Sequence, residues 1–505
     1  MGLTGIFDIG VNAMNGHSHA VRTISGNIAN ASTDSYKRVE TQYLSLYTPG
    51  AGPTQPGGTA ERPSPVAPRS QGSGIRTFDR YHLDQQGTVR QTGRELDLAI
   101  AGRGFFLTKP AEQTIQGGRV VRSFAEETLY GRDGAFSPDV QGTGANTSEL
   151  LLRNKSGNYL MGWSAASGFG GEPEVIRVPL NRGVGAGAGE GTPDLPARAT
   201  QTVRFGATLP TASGAGGAPV ASRAPFFDAT GASRSLDIAF QPVAGQIDTW
   251  RATVSLPGGS VGGAASATYE IAFHRQTARD ANGAETAPFA GGIRSISPVV
   301  GGVVQPAGDG ALNAPAAIAL PLAFADGSAP GQTLSLQFGF FGGTDGNNPR
   351  AFDGNTSLTQ FGAAFNEGRV TRDGYPAGFL DSTAFDGEGY LVGQYSNGEN
   401  RRLYRLPIAT FANENSLLPT GGNDFRLGAA TGTAVLNQVG VDAAGADGRP
   451  SAELASLVVG GLEQSNVDIA DEFSGLIVTQ RAYTAASKIL TTADQMSQTA
   501  RDLKS

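Results

Sequence analysis

The sequence predicts an α+β chain that is mostly β: paired, coiled-coil-like N- and C-terminal α-helices, with nested antiparallel β-domains inserted between them. Three observations predict it. Apolar residues recur at helical spacing near the two ends of the 505-residue chain. Between those ends they alternate in short runs broken by glycine, proline, asparagine and aspartate. Two loose connectors flank the β region, so the order is helix, linker, β, inserted β, β, linker, helix. A chain built this way goes out along a line and returns, which brings its termini together.

The first helix carries Leu3, Phe7, Gly10, Met14, His17, Val21, Ile24 and Ile28 at alternating four- and three-residue steps, a heptad seam. It should stop between Gly26 and Asn30, because residues 30–35 (Asn-Ala-Ser-Thr-Asp-Ser) form a turn cluster. Residues 32–75 read as an extended arm, with five prolines between Pro49 and Gly74 in addition to Pro49 itself. Residues 76–165 and 352–441 read as a β core. There Leu96, Leu98 and Ile100 alternate and return through Gly102-Arg103-Gly104 to Phe105-Phe106-Leu107, which predicts a hairpin. Tyr130–Phe136, with Asp133-Gly134 as its turn, predicts a second, and Leu150–Trp163 a third, folded at Ser156-Gly157-Asn158.

Residues 166–351 read as one or two inserted outer β-domains. Leu236, Ile238 and Phe240 alternate, as do Tyr269, Ile271 and Phe273, and Leu334, Leu336, Phe338 and Phe340; this is the pattern of a sandwich or barrel. Residues 442–461 read as the second connector. The terminal helical domain is then 1–31 and 462–505. In its C-terminal half Ser465 or Asn466 can cap the helix, and Asp468, Asp471 and Glu472 suit its positive end. Ile469, Phe473, Leu476, Ile477, Tyr483 and Leu490 form its apolar stripe.

Composition narrows the function. A net charge of −7 without a basic cluster argues against a nucleic-acid partner. No run approaches the eighteen apolar residues of a membrane span, and the start lacks a basic segment followed by an apolar one. Export without a cleaved signal peptide, or no export, is the expectation. Cysteine is absent, so stability must come from cores and from assembly. The four histidines (His17, His19, His82, His274) form no ligand cluster, and no Gly-x-Ser-x-Gly elbow occurs. Residues 183–191 are glycine-rich but lack the Lys-Ser/Thr of a phosphate loop. The chain is therefore not expected to be an enzyme, and no catalytic, cofactor or metal site is expected.

Ser25–Thr33 followed by Tyr36-Lys37 resembles the N-terminal motif of the bacterial flagellar axial proteins, the rod-and-hook family. It departs from that motif at Ser35, where a glycine is usual. Gly93–Phe106 resembles the family's first strand pair and Tyr130–Phe136 its next hairpin. Leu462–Asp468 and Gln480-Arg481-Ala482-Tyr483 resemble the C-terminal motif, with Ala486 where asparagine is usual. Three features favour the hook branch. The chain is much longer than a distal rod protein; Phe227–Gly231 with Leu236–Phe240 and Thr249-Trp250 resembles the hook's inserted domain; and Leu358–Phe361, Asp373–Gly378 and Val392–Gly398 resemble its second core half.

The resemblance implies a structural subunit that self-assembles into a flexible curved tube, a universal joint carrying torque from rod to filament. Helical termini would line the tube, the core would form its wall and the insert its outer surface. Implied partners are many further copies, the distal rod protein, the hook cap, the hook–filament junction protein and the flagellar type III export apparatus. The implied location is extracellular, in the hook. Expected interface residues are Leu3, Phe7, Met14, Val21, Ile24, Asn27, Ile28 and Asn30 at one end. At the other they are Leu462, Ser465, Asn466, Val467, Asp468, Ile469, Phe473, Leu476, Ile477, Gln480, Arg481, Tyr483 and Leu490. The rivals are the distal rod protein, a rigid shaft, and, from a different class, a secreted glycan-binding β-protein.

Overall fold

A computed structural model describes residues 3–502, apart from 49–70, 117–118, 143–147, 181–192, 212–217, 287, 328, 343–356, 363 and 440–454. The chain divides into two compact units. One comprises residues 1–190, 382–393 and 400–505, and the other residues 191–381 and 394–399.

In the first unit the N-terminal periodicity produces α1 (Leu3–Ala29) and the C-terminal one α2 (Ile469–Asp502). At 1.5 Å per residue they are roughly 40 and 50 Å long. They pack antiparallel: a Cβ on Gly10 would lie 3.7 Å from Leu490, and one on Gly475 would lie 3.7 Å from Ile24. The α1 end closes as the turn cluster predicts, with the Asn30 backbone N–H and side-chain amide both donating to the Gly26 carbonyl. The α2 start differs from the sequence reading. Gly461–Glu463 is a strand paired with Val89–Gln91, so Leu462 lies in a sheet and the helix cannot begin until the chain leaves it. Its cap is Asp468, whose Oδ1 accepts from the backbone of Ala470 (2.8 Å) and Asp471 (3.3 Å). Asn466 instead ties backbone together, accepting from Arg38 N–H and donating to the His82 and Gln85 carbonyls.

The stretch read as an arm is ordered at both flanks. Val39–Thr48 and Gln71–Tyr81 pair antiparallel from Val39↔Tyr81 to Thr48↔Gln71. This ribbon lies on α1, where Asp79 meets His19 at 2.8 Å and Tyr43 meets His17 at 3.3 Å. Most of the proline tract, the glycine-rich 183–191 run and residues 442–454 lie outside the described residues.

The β core departs from its local hairpin signals. Leu98–Ala101 does not pair with Phe106–Lys109; its partner is Ser456–Val459, from the far end of the chain. Phe106–Lys109 pairs instead with Leu129–Gly131 and Tyr159–Leu160. Both segments are almost fully buried, and a strand buried on both faces takes its neighbours from long-range packing rather than from the nearest turn. Tyr130–Phe136 likewise does not close on itself: Leu129–Gly131 sits between Phe106–Lys109 and Asp424–Arg426. The third signal does turn, at Gly157 (φ +90°), with Arg153 opposite Tyr159. Phe105, Tyr130, Tyr159, Phe411 and Phe425 fill the core.

The second unit is a sandwich with one core, from Val203 and Phe205 through Phe240, Trp250 and Phe273 to Leu336 and Phe338. One sheet is antiparallel, ordered 220–227, 233–242, 249–255, 266–273, 293–300, 303–304. The other is mixed: Thr202–Pro210 runs parallel to Gln332–Phe340 and Leu358–Gly362 but antiparallel to Asn366–Arg372. Residues 358–372, grouped from sequence with the core, thus belong to this sandwich. Residues 177–180, grouped with the insert, pair with Ser148–Leu151 in the first unit.

Candidate assembly interface

The two helices grow from a buried charged root. The Glu463 carboxylate, with a fully buried side chain, accepts from Lys37 Nζ (2.7 Å), Gly87 N–H (2.8 Å) and Arg132 Nη1 (3.2 Å). Lys37 also donates to the Gln85 carbonyl, and Arg132 to that of Gly102. Two cations therefore share one carboxylate. Burial holds the Lys37 pKa down at about 8, although Glu463 pulls the other way. Beside this root Glu472, in the first turn of α2, accepts from Arg38 and from Asn27 of α1.

Ser35 stands at the bend before the root with φ +59°, a left-handed conformation that favours glycine. The strain is offset by fixed partners: its N–H donates to the Glu463 carbonyl and its Oγ to that of Arg132, both at 2.8 Å. This is how a serine fills the position at which the resemblance expects glycine.

Above the root the helices use unlike faces. Phe7, Met14, Val21, Ile24 and Ile28 share the side of α1 that carries Gly10, and all are half-buried. Leu3 is helical, but its side chain lies outside the described residues. The face that α2 turns to α1 is made mostly of small residues, with Gly475, Thr479, Ala482, Ala486 and Ala493 at helical spacing and Leu490 against Gly10. Ala486 and Ala493 are buried there. Small side chains let the helices approach closely, so they leave the large apolar residues of α2 outside. Ile469, Phe473, Ile477 and Tyr483 are 48, 50, 54 and 41 % exposed, and Val478, Ile489 and Met496 are 67, 53 and 58 % exposed.

The sequence-predicted interface residues with described side chains therefore separate into four groups, the first being the half-buried α1 seam of Phe7, Met14, Val21, Ile24 and Ile28, on the side of α1 that packs toward α2. Ile469, Phe473, Ile477, Gln480, Arg481 and Tyr483 form an open surface, with Leu476 and Leu490 half-buried beside it. Leu462 and Asn27 are buried within the chain, at 4 % and 1 % exposure, and cannot meet a neighbour as they stand. Ser465, Asn466, Val467 and Asp468 form the link into α2, and Asn30 caps α1. Sequence reasoning missed Val478, Ile489 and Met496, whose spacings of eleven and seven place them on one further face of α2. It also missed the Lys37–Arg132–Glu463 root, which no local pattern marks. Among the described residues no group of three or more His, Cys, Asp or Glu could hold a metal ion.

Three family models match in chain order: the Flagella basal body rod protein model over residues 7–37, the Flagellar basal body protein FlaE D2 domain over 210–375, and the Flagellar basal body rod FlgEFG protein C-terminal model over 458–503. With the helix pair and the inserted sandwich, they define a flagellar axial protein of the rod-and-hook class. The chain is 27% identical to the flagellar hook protein FlgE of Treponema pallidum (strain Nichols) over 98% of each chain. It is 28% identical to FlgE of Brucella suis biovar 1 (strain 1330) over the whole of both. The crystal structure of Helicobacter pylori flagellar hook protein FlgE2 aligns at 11% identity over 73% of this chain and 98% of that one, with a TM-score of 0.38, too loose a likeness to argue from. The chain belongs to the flagellar hook protein family: it is a structural, non-enzymatic subunit of the hook.

Proposed function

We propose that copies of this chain assemble, through their terminal helices, into a flexible curved tube that works as a universal joint between rod and filament. The observation that carries the reading is the exposed apolar surface of α2. Seven large side chains stand about half open to water. Covering what remains would contribute up to about 5–10 kcal/mol per copy, at about 1.5–3 kcal/mol for each fully buried side chain. Among the described residues the ribbon lies on α1 and nothing in the chain covers these side chains of α2, whereas neighbouring copies can. The root, by contrast, is closed and charged, which suits a fixed joint between each helix pair and its β core.

In this reading the chain leaves through the flagellar type III export apparatus and works outside the cell. It meets the distal rod protein at one end of the tube and the hook–filament junction protein at the other, with the hook cap present during growth. Purified full-length chain, concentrated in precipitating salt and imaged by electron microscopy, should form curved tubes. Straight, stiff shafts would place it with the distal rod proteins, and failure to polymerise under any condition would overturn the reading. Ile477→Asp should stop polymerisation while leaving the urea unfolding of the monomer unchanged.

A further inference from the structure

A helical polymer needs two different faces on each copy, because a face that pairs with itself closes a dimer. The first is the outer surface of α2. The second is on the ribbon. Cross-strand register places Gln42 opposite Phe78 and Leu44 opposite Arg76, so Leu44, Arg76, Phe78 and Arg80 share one side of it. Tyr43, on the other side, turns to His17 of α1. Leu44 and Phe78 are 55 % and 48 % exposed. Arg76 and Arg80, on either side of Phe78, are exposed and form no ion pair among the described residues; Glu40, opposite Arg80, meets His82 instead at 2.9 Å.

The matching features on α2 are Val478, its most exposed apolar side chain, and Asp471, exposed and seven residues earlier on the same face. We infer that the outer side of the 39–48/71–81 ribbon of one copy seats on this α2 face of a second copy, with Leu44 and Phe78 against Val478 and the arginines toward Asp471. The contact is heterologous, apolar at its centre and charged at its edge, as a specific interface is. It rests on the self-assembly reading and names the second half of that contact. No other exposed pair of large apolar side chains adjoins the helices among the described residues: α1 itself offers only Val11.

The absence of cysteine makes the test direct. Two full-length variants, Phe78→Cys and Val478→Cys, are polymerised separately and as an equal mixture, oxidised, and run on a non-reducing gel. Dimer confined to the mixture is the expected result. Dimer within either single-variant polymer, or none in the mixture, overturns the proposal. In a second arm, Arg76→Glu/Arg80→Glu should raise the critical concentration for polymerisation at least tenfold. Adding Asp471→Arg should restore most of it, and monomer unfolding should be unchanged throughout. Normal polymerisation by the Arg76→Glu/Arg80→Glu variant would sink the ribbon contact while leaving self-assembly standing. Failure of the unmodified chain to polymerise would instead sink the parent reading.

Discussion

Replacing Glu463 by glutamine should be among the most damaging single changes in the first unit. The carboxylate is fully buried and, among the described residues, is the only anion in ion-pair contact with two buried cations, Lys37 and Arg132. Breaking a buried ion pair from one side costs about 3–5 kcal/mol, because the remaining charge has no partner. Here two remain. Glutamine keeps one acceptor oxygen but turns an N–H₂ toward groups that already donate. The reverse change should cost less: Lys37→Met leaves Arg132 and Glu463 as a one-to-one pair, so its penalty should be the smaller of the two.

The assay can isolate the unit. The chain has two tryptophans, Trp163 in the first unit and Trp250 in the second, so a Trp250→Phe background reports the first alone. At about 2–3 kcal/mol per molar urea, the Glu463→Gln midpoint should fall by roughly 1–2 M at pH 7. The pH profile provides an independent check. Lys37 is held at about 8 when folded and stays protonated to a higher pH when unfolded. The unfolded state therefore binds more protons above about pH 8, and wild-type stability gains a contribution from this residue as pH rises to about 10. The Glu463→Gln deficit should narrow over the same range, since a neutral Lys37 no longer needs the carboxylate. A midpoint shift under 0.3 M, or a deficit indifferent to pH, would refute the account of the root as a dry, charge-interlocked joint.

Three further outcomes are expected. Burial raises the Asp424 pKa to about 6 despite hydrogen bonds from Asn154 and Asn158, so the folded state holds a proton that the unfolded state has lost; stability should fall as pH rises from about 4 to 6, and Asp424→Asn should add about 1–3 kcal/mol at pH 7 by the same urea titration. Gly134→Ala would place its Cβ 1.7 Å from the Leu98 carbonyl oxygen, forcing backbone apart, and should cost at least 2 kcal/mol; a loss below 0.5 kcal/mol would mean that Leu98–Ala101 can shift freely. Amide exchange in α1 and α2 should be fast in dilute monomer and slow in the polymer, because a two-helix pair with half its apolar surface open is marginal alone; strong protection of residues 7–28 in the monomer would contradict this.

Much of this architecture is local and was legible without coordinates. Heptad spacing over Leu3–Ile28 and the long run after Asp468 specify helices because 3.6 residues per turn gathers those side chains on one side. Alternation through Leu236–Phe240, Ile271–Phe273 and Leu334–Phe340 specifies strands of a sandwich core for the corresponding reason, a period of two. At position 35 the family resemblance implied a glycine, and Ser35 departs from it while keeping the left-handed backbone at φ +59°. The amino-acid order could therefore determine which residues are helical, which are strand and which must be covered, and through its motifs the family.

Tertiary packing decided the partners. The Leu98–Ala101 strand joins Ser456–Val459 rather than its neighbour in sequence. Residues 358–372 complete the inserted sandwich, and Lys37, Arg132 and Glu463 meet across hundreds of residues. The most consequential decision was which side of α2 faces α1. By hydrophobicity alone the large side chains of α2 should have turned inward. The helices instead approach along Gly475, Ala482, Ala486 and Ala493, because α1 already supplies the bulk and two large faces cannot occupy one seam. The size fit between two helices from opposite ends of the chain is a property of the pair, and it left outward the surface that a second copy would cover.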